Sequence, residues 1–412
     1  MTMHPSSAIP SGLPALDAES AHHALATANY LAQQIQVACS GFMPFEQWMN
    51  LALYAPGLGY YAAGNTKFGA ELPTGDFTTA PEMSPLFGQT IARQAAQVLK
   101  ASQSVTVLEF GAGSGALAAA VIPALRQLGI EPQYQILEVS ADLQQRQQQR
   151  LAEFGDSVTW LSALPVAFSG CVLANEVLDA MPATLFSWND DGAVMEIGVK
   201  LAQNTSINHQ ADPATALATD VSIELLPTFE FAQRPANAAL QQAVAARMPP
   251  LPGYQSEINL QAEAWVRQMG TWLKQGAALL IDYGFPQREY YHPQRNEGTL
   301  MCHFRHHAHS QPLIYAGLQD ITAHVDFTAM ADAALEGGLD VLGYTSQARF
   351  LMNAGMPELL AQANATAQPQ TLSAVQKLIS EAEMGELFKV LAIGRNVGPL
   401  MGFQRGDRRD RL

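Results

Sequence analysis

Short apolar runs alternate with longer stretches that are Ala-rich or rich in Gln and Arg through the middle of the chain. An apolar strand followed by a helix and a further apolar strand is typical of a parallel sheet that helices cover on both faces. The sequence therefore predicts an α/β fold. The pattern places strands at 105–110, 134–139, 158–161, 171–175, 277–283, 339–344 and 387–393, and helices at 114–128, 141–153, 258–275 and 327–337.

The alternation has an N-terminal extension and one long interruption. Helical patterns precede it, a hairpin is predicted at 185–200 with its turn at Asn189–Gly192, and residues 201–255 show no clear period. Such an insertion is a natural place for target binding. We expect a disordered lead-in at 1–20, an N-terminal helical and lid segment at 21–102, a nucleotide-binding domain at 103–395, with an insertion at about 185–270 and a target-binding loop region at 284–325, and a charged, frayed tail at 396–412.

Three glycines at alternate positions follow the first predicted strand of the sheet. Gly111 and Gly113 allow a tight turn and close approach of a ligand, and Gly115 opens a helix whose free N–H groups favour negative charge. A Rossmann-like fold begins its nucleotide site in this way. The spacing leaves S-adenosylmethionine and NAD open, because Gly111, Gly113 and Ala116 also fit the looser dinucleotide pattern.

Glu138 ends the second predicted strand, about twenty residues after the glycine loop. A carboxylate at this position can accept hydrogen bonds from both ribose hydroxyls of a bound adenosine. The alternative is an ordinary surface acid at a strand end.

Polar side chains gather at two further places. Asn175, Glu176 and Asp179 follow the strand at 171–175, at the sheet edge where open α/β folds bind ligands. The carboxylates of Glu176 and Asp179 could bind a guanidinium through paired hydrogen bonds. Alternatively, Asn175 could cap a helix. The loop at 74–82 could act as a lid that brings Asp76 or Glu82 to a ligand, or it could be a plain polar loop.

No metal site is expected. The segment that contains Cys302, His303, His306, His307 and His309 lacks the second pair of ligands that structural zinc requires. The three cysteines, Cys39, Cys171 and Cys302, form no CxxC motif and favour a reducing cytoplasm.

The balance of charged residues limits the classes of partner that the protein is expected to bind. Lys and Arg number 22 against 37 Asp and Glu, a formal charge of −15. This argues against nucleic-acid binding, which needs a basic face, and suits a basic protein target or simple solubility. With no apolar run long enough for a bilayer and no basic leader, we expect a cytoplasmic, bacterial protein that does not bind membranes.

Six motifs in order then identify a family. GDFTTAPEMSPLFG, LEFGAGSGALA, ILEVS, ANEVLDAMP, LLIDYG and ITAHVDF together resemble the MidA-type methyltransferases, over roughly residues 40–395. The resemblance implies a class I S-adenosylmethionine-dependent fold with a seven-stranded sheet whose last strand is antiparallel. The mitochondrial members of the family are arginine methyltransferases that assist assembly of respiratory complex I, so a respiratory-complex subunit is a possible target.

The resemblance also assigns residues. It implies that Gly111, Gly113 and Gly115 hold the methionine part of the cofactor and that Glu138 holds the ribose. Gly75, Asp76 and Glu82 match the cofactor-side loop of the family, and Asn175, Glu176 and Asp179 match its motif beside the sulfonium. We expect methyl transfer to a protein nitrogen, most plausibly arginine. An assembly factor that binds the cofactor without turnover, a small-molecule methyltransferase and an NAD-dependent dehydrogenase are the alternatives; the NEVLDAMP motif and the position of Gly115 count against the dehydrogenase.

Overall fold

A computed structural model describes residues 9–63, 79–202, 226–363 and 369–412. The chain forms two compact units, each assembled from three segments. The first unit contains Met1–Phe77, Ala180–Gln261 and Tyr291–Ala323, and the second contains Thr78–Asp179, Ala262–Tyr290 and His324–Leu412. Among the described helices, none combines the length and apolar character that crossing a bilayer requires.

The second unit is built on a large twisted sheet. Its strands are β2 (Thr106–Phe110), β3 (Gln133–Leu137), β4 (Val158–Leu161), β5 (Phe168–Asn175), β10 (Leu273–Phe285), β14 (Val325–Asp326), β15 (Asp340–Ser346) and β16 (Phe388–Arg395). Their order is β15-β16-β10-β5-β2-β3-β4, and the short β14 pairs in addition with β10. β16 runs antiparallel to both of its neighbours, while β10, β5, β2, β3 and β4 run parallel. The predicted seven-stranded α/β sheet with an antiparallel last strand is confirmed.

Helices account for the nearly continuous burial of the central strands. Val107, Ile136, Leu173, Leu279 and Val390, one from each of five strands, share a single apolar core, as expected for a sheet covered on its faces. The helices of this unit are α3 (Ala80–Met83), α4 (Pro85–Ala101), α5 (Ala116–Gln127), α6 (Ala141–Arg150), α8 (Leu260–Trp272), α9 (Gln287–Tyr290), α10 (Phe327–Glu336), α11 (Gln347–Asn353), α12 (Met356–Ala363), α13 (Pro369–Ile379) and α14 (Met384–Leu387).

Helix α4 belongs with the large sheet rather than with the helices that precede it in the chain. Gly88 allows α4 to approach α5 so closely that a Cβ at that position would lie 2.5 Å from the Cβ of Ala120. The contacts therefore divide the chain near residue 78, inside the segment 21–102 that the sequence treats as one piece.

Among its described residues, the first unit combines two antiparallel sheets with three α-helices. The larger sheet has the order β1-β7-β6-β9, with β8 also paired to β7, and the smaller has the order β12-β11-β13. Its elements are α1 (Ala18–Val37), β1 (Met43–Pro44), α2 (Phe45–Tyr54), β6 (Thr184–Trp188), β7 (Val194–Leu201), β8 (Phe229–Pro235), α7 (Ala238–Arg247), β9 (Gln255–Ile258), β11 (Met301–Phe304), β12 (His307–His309) and β13 (Asp320–Thr322).

Several of these elements bear on the sequence predictions. The hairpin with its turn at Asn189–Gly192 is present as β6 and β7. By contrast, residues 201–255 contain β8 and α7, and the predicted loop region 284–325 contains a three-stranded sheet. Helix α1 starts at Ala18, inside the predicted lead-in, because the Asp17 carboxylate caps it by accepting from the Ser20 N–H at 2.8 Å.

The C-terminal tail is packed, not frayed. Leu400 and Phe403 are buried in the core of the second unit. The Arg408 N–H donates to the Tyr344 carbonyl at 2.7 Å, so the tail pairs with the outer strand β15. The burial of these apolar residues fixes the segment against the second unit.

Candidate active site

The glycine loop leads from β2 into α5. Gly111, Gly113 and Gly115 have φ values of 59°, 53° and 83°, a left-handed region that other residues enter only at a cost. A Cβ on Gly113 would meet no atom within 4 Å, so open space faces this part of the loop. Gly115 is the N-cap of α5 and provides no side-chain hydrogen bond, which leaves the first amides of the helix available to an anionic group.

Glu138 follows β3 and lies beside the glycine loop. One carboxylate oxygen accepts from the Ser140 N–H at 2.9 Å, and the other accepts from the Gln147 side-chain amide at 2.9 Å. Burial raises the pKa of the Glu138 carboxyl, while the hydrogen bonds from Ser140 and Gln147 oppose that shift. Gln147 also donates to the Gly113 carbonyl at 2.9 Å, so a single side chain connects the loop with the acid.

Glu82 also contacts the glycine loop. Its carboxylate accepts from the Ser114 hydroxyl and from the Arg150 guanidinium, the latter at 2.8 Å. The structure thus brings Glu82 into contact with the glycine loop at Ser114. Gly75 and Asp76, which were predicted to act with it, lie outside the described residues.

Asn175 and Glu176 end β5 at the carboxyl edge of the sheet. Glu176 has a φ of 55°, unusual for a residue other than glycine, and its N–H donates to the Ile281 carbonyl at 2.9 Å. The Asn175 side-chain amide donates to a Glu176 carboxylate oxygen at 2.9 Å. The alternative interpretation of Asn175 as a helix cap does not hold, since turns and bends follow β5 and the next regular element is β6.

Asp179 is buried and is held by the end of the neighbouring strand β10. Its carboxylate accepts from the Tyr283 hydroxyl at 2.5 Å. The adjacent Asp282 accepts from the backbone N–H groups of Leu178 at 3.0 Å and Asp179 at 3.3 Å. Burial raises the pKa of Asp282 well above its ordinary range, and the nearby charges of Asp179 and Glu176 raise it further.

The predicted strand 277–283 ends with Asp282 and Tyr283, which the sequence analysis gives no role. They could have been found by the rule that identified Asn175 and Glu176, because they also end a parallel strand. Gln147 could not have been found, since it is one of five glutamines in α6 and only the structure shows that it alone among them is buried.

Two other polar residues lie outside the group formed by the glycine loop, Glu138 and the acids that follow β5. Cys302 is buried in β11, and the described residues contain no group of three or more His, Cys, Asp or Glu that could hold a metal ion. Asp326 caps α10 by accepting from the N–H groups of Thr328 and Ala329 at 3.1 and 3.2 Å.

The loop, the helix terminus and Glu138 fit S-adenosylmethionine. Gly113 borders open space, the amides of α5 would donate to the carboxylate of its methionine part, and Glu138 has two oxygens for ribose hydroxyls. Glu176 and Asp179 follow the end of β5, the strand beside β2.

Comparisons with known proteins agree with this fit. Residues 90–345 match the family described as "Putative S-adenosyl-L-methionine-dependent methyltransferase". A "likely methyl transferase" from Burkholderia thailandensis, solved with S-adenosyl-homocysteine bound, is 45% identical, with a TM-score of 0.85 over 97% of this chain and 100% of that one.

Curated relatives are more distant. The mitochondrial protein arginine methyltransferase NDUFAF7 homolog of Drosophila melanogaster is 27% identical over 91% of this chain and 86% of its own length. The human protein of that name is 26% identical over 87% and 81%. The chain therefore belongs to the S-adenosyl-L-methionine-dependent methyltransferase family that the resemblance to MidA-type enzymes predicted, and S-adenosyl-L-methionine is its cofactor.

Proposed function

We propose that this methyltransferase modifies a guanidinium nitrogen of arginine in a protein substrate. The observation that carries the proposal is the group of three carboxylates, Glu176, Asp179 and Asp282, at the carboxyl ends of β5 and β10. Acidic side chains placed so closely repel one another, and a cation between or beside them relieves that repulsion. The names of the relatives, protein arginine methyltransferases, support the same substrate class.

Glu176 and Asp179 are the two residues we assign to the acceptor. A guanidinium presents a planar set of N–H donors that matches carboxylates, so the pair would fix the plane of the acceptor nitrogen. Asn175 orients Glu176 and Tyr283 orients Asp179, which gives each carboxylate a partner that restricts its rotation. Asp282 acts through the backbone amides that it accepts from and is a positioning residue.

Methyl transfer requires little from the protein beyond the alignment of the methyl donor with the acceptor nitrogen. S-adenosylmethionine supplies a methyl group on a sulfonium: the carbon–sulfur bond breaks as the carbon–nitrogen bond forms, and sulfur keeps the electron pair. The residues of the chain must hold the acceptor in line and localise the guanidinium charge away from the attacking nitrogen. The methylated nitrogen then loses one proton to water, so a strong base is not required.

The test is the identity of the methylated product. The full chain would be incubated with isotopically labelled S-adenosylmethionine and a dialysed bacterial protein extract, and the proteins would be hydrolysed and their amino acids separated by mass spectrometry. We expect label in methylarginine. Gly113→Val, which forces a branched residue into the left-handed region, is the inactive control.

Label confined to methyllysine would contradict the choice of arginine. Label that appears only when small molecules are retained would instead favour a small-molecule methyltransferase, and binding without any labelled product would favour a cofactor-binding assembly factor.

A further inference from the structure

Gln147 is fully buried in a helix whose other four glutamines are partly or fully exposed. Its exposed fraction is 0%, whereas Gln148 beside it is exposed. An uncharged amide enters a protein interior only when hydrogen bonds replace the water that it loses. The partners of this amide therefore indicate what it is there to hold.

Three hydrogen bonds fix the Gln147 amide in one orientation. Its nitrogen donates to the Gly113 carbonyl and to the Glu138 carboxylate, both at 2.9 Å, and its oxygen accepts from the Trp160 indole N–H at 2.9 Å. Rotating the amide by half a turn would set its oxygen against two acceptors and its N–H groups against a donor. Trp160 thereby keeps both amide donors directed at the cofactor site.

The same side chain also packs under the start of α5. A Cβ on Gly115 would lie 3.6 Å from the Cγ of Gln147, which is ordinary contact distance. Gln147 thus contacts the glycine loop at Gly113, the helix start at Gly115 and the acid at Glu138. These are the groups to which the site assigns the methionine part and the ribose.

We propose that Gln147 is a positioning residue that couples the two halves of the cofactor site, by holding the ribose acid Glu138 and the glycine loop in one fixed arrangement. The inference rests on the role of Glu138 toward the ribose. It predicts that losing the amide weakens cofactor binding although Gln147 itself does not touch the cofactor, because both binding groups lose their orientation.

The experiment uses the full chain and S-adenosylhomocysteine as the probe. Isothermal titration would compare wild type with Gln147→Met, which keeps the volume and removes the donors, and with Gln148→Met as the matched control on the same helix. We expect Gln147→Met to weaken binding by about ten- to a hundredfold, the range for a lost hydrogen bond to a charged group, and Gln148→Met to match wild type.

A double-mutant cycle separates positioning from general damage. If Gln147 acts through Glu138, adding Gln147→Met to Glu138→Gln must weaken binding less than adding it to wild type. Equal losses in the two backgrounds would overturn the coupling. Should Gln147→Met fold poorly, Trp160→Phe removes only the donor that orients the amide, and we expect a loss of about two- to tenfold.

The outcomes distinguish the inference from the assignment on which it rests. If Glu138→Gln weakens binding while Gln147→Met and Trp160→Phe match wild type, the role of Glu138 toward the ribose is supported and the inference about Gln147 is overturned. If Glu138→Gln itself binds like wild type, the ribose role fails and the inference fails with it.

Discussion

At the scale of single residues, the proposed acceptor side of the site depends on a contact between a side chain that follows β5 and one near the end of β10. Tyr283 lies near the end of β10, and its hydroxyl donates to Asp179 at 2.5 Å. Its ring packs edge-on against His324 and Phe388, with centroids 5.0 and 5.4 Å away. The ring is therefore held by packing, and its hydroxyl restrains the carboxylate.

Tyr283→Phe should remove that restraint and keep the ring in place. We expect methyl transfer to slow by about tenfold, the order of one hydrogen bond to a charged group. The affinity for S-adenosylhomocysteine should change by less than about twofold, because the glycine loop and Glu138 are untouched. Initial rates measure methyl transfer, and titration of the same preparation measures the affinity. An unchanged rate would show that the Tyr283 hydroxyl does not contribute to methyl transfer.

Glu109 offers a pH-dependent prediction within the core. This buried carboxyl in β2 accepts from the Tyr134 hydroxyl at 2.7 Å, and burial raises its pKa to about 8. The unfolded chain releases the Glu109 proton near pH 4.5, whereas the folded chain keeps it until about pH 8. The folded state binds more protons between these values, so its stability falls as the pH rises through that window.

Glu109→Gln keeps an acceptor for Tyr134 and removes the titration. Relative to this variant, wild type should lose up to about 1.4 kcal/mol of unfolding free energy per pH unit between pH 4.5 and 8. Urea denaturation of both proteins across that range gives the difference. Parallel pH profiles for wild type and variant would show that Glu109 ionises in the folded state.

At the scale of elements, strong periodicity made the large sheet predictable. Its central strands are rich in apolar residues, and helices α5, α6 and α10 follow or precede them at the predicted places. The sheet edge at Asn175 and Glu176 followed from strand direction alone.

The missed elements lack that signal. Strand β11 alternates between partly and fully buried residues over only four positions, and His303 interrupts its apolar pattern. Strands β12 and β13 have three residues each, too few to show a period of two. Gln147 was missed for a different reason, because its role depends on groups far away in sequence.

The prediction of a frayed tail was wrong because the tail is rich in arginine, and this charge obscures two apolar side chains that the structure shows to be buried. Phe403 is 5% exposed and lies 5.4 Å from Phe350 between ring centroids. Its ring lies so close to Gly343 that a Cβ there would be 2.2 Å from the Phe403 Cγ. The tail is thus an integral part of the second unit's core.

Phe403→Ala should accordingly lower the unfolding free energy by about 3–5 kcal/mol, the range for removing a buried aromatic ring. Arg405→Ala, at an exposed position two residues later, should change it by less than about 0.5 kcal/mol. Denaturant midpoints of the two variants measure this contrast. Equal and small effects would mean that the tail contributes little to the fold.

At the scale of the whole molecule, every described residue predicted for the site belongs to the second unit, from Glu82 to Asp179. The first unit contains the predicted hairpin and most of the segments expected to bind the target. A cofactor that binds only the folded chain must stabilise it, by an amount that rises with the logarithm of the cofactor concentration once this exceeds the dissociation constant.

S-adenosylhomocysteine at one hundred times its dissociation constant should therefore raise the unfolding free energy by about 2.7 kcal/mol. NAD at the same concentration should leave it unchanged, because the site is assigned to the methionine-bearing nucleotide. Thermal unfolding with each compound tests this, and an equal rise with NAD would contradict the cofactor assignment.

In the proposed function, Glu176 orients the acceptor and does not bind the cofactor. The most direct measurement compares wild type, Glu176→Gln and the exposed control Glu153→Gln for methylarginine formation and for S-adenosylhomocysteine affinity. We predict that Glu176→Gln binds S-adenosylhomocysteine like wild type and loses methylarginine formation by about a hundredfold or more, while Glu153→Gln keeps both. Methylarginine formation by Glu176→Gln at the wild-type rate would contradict the role of Glu176 in orienting the acceptor.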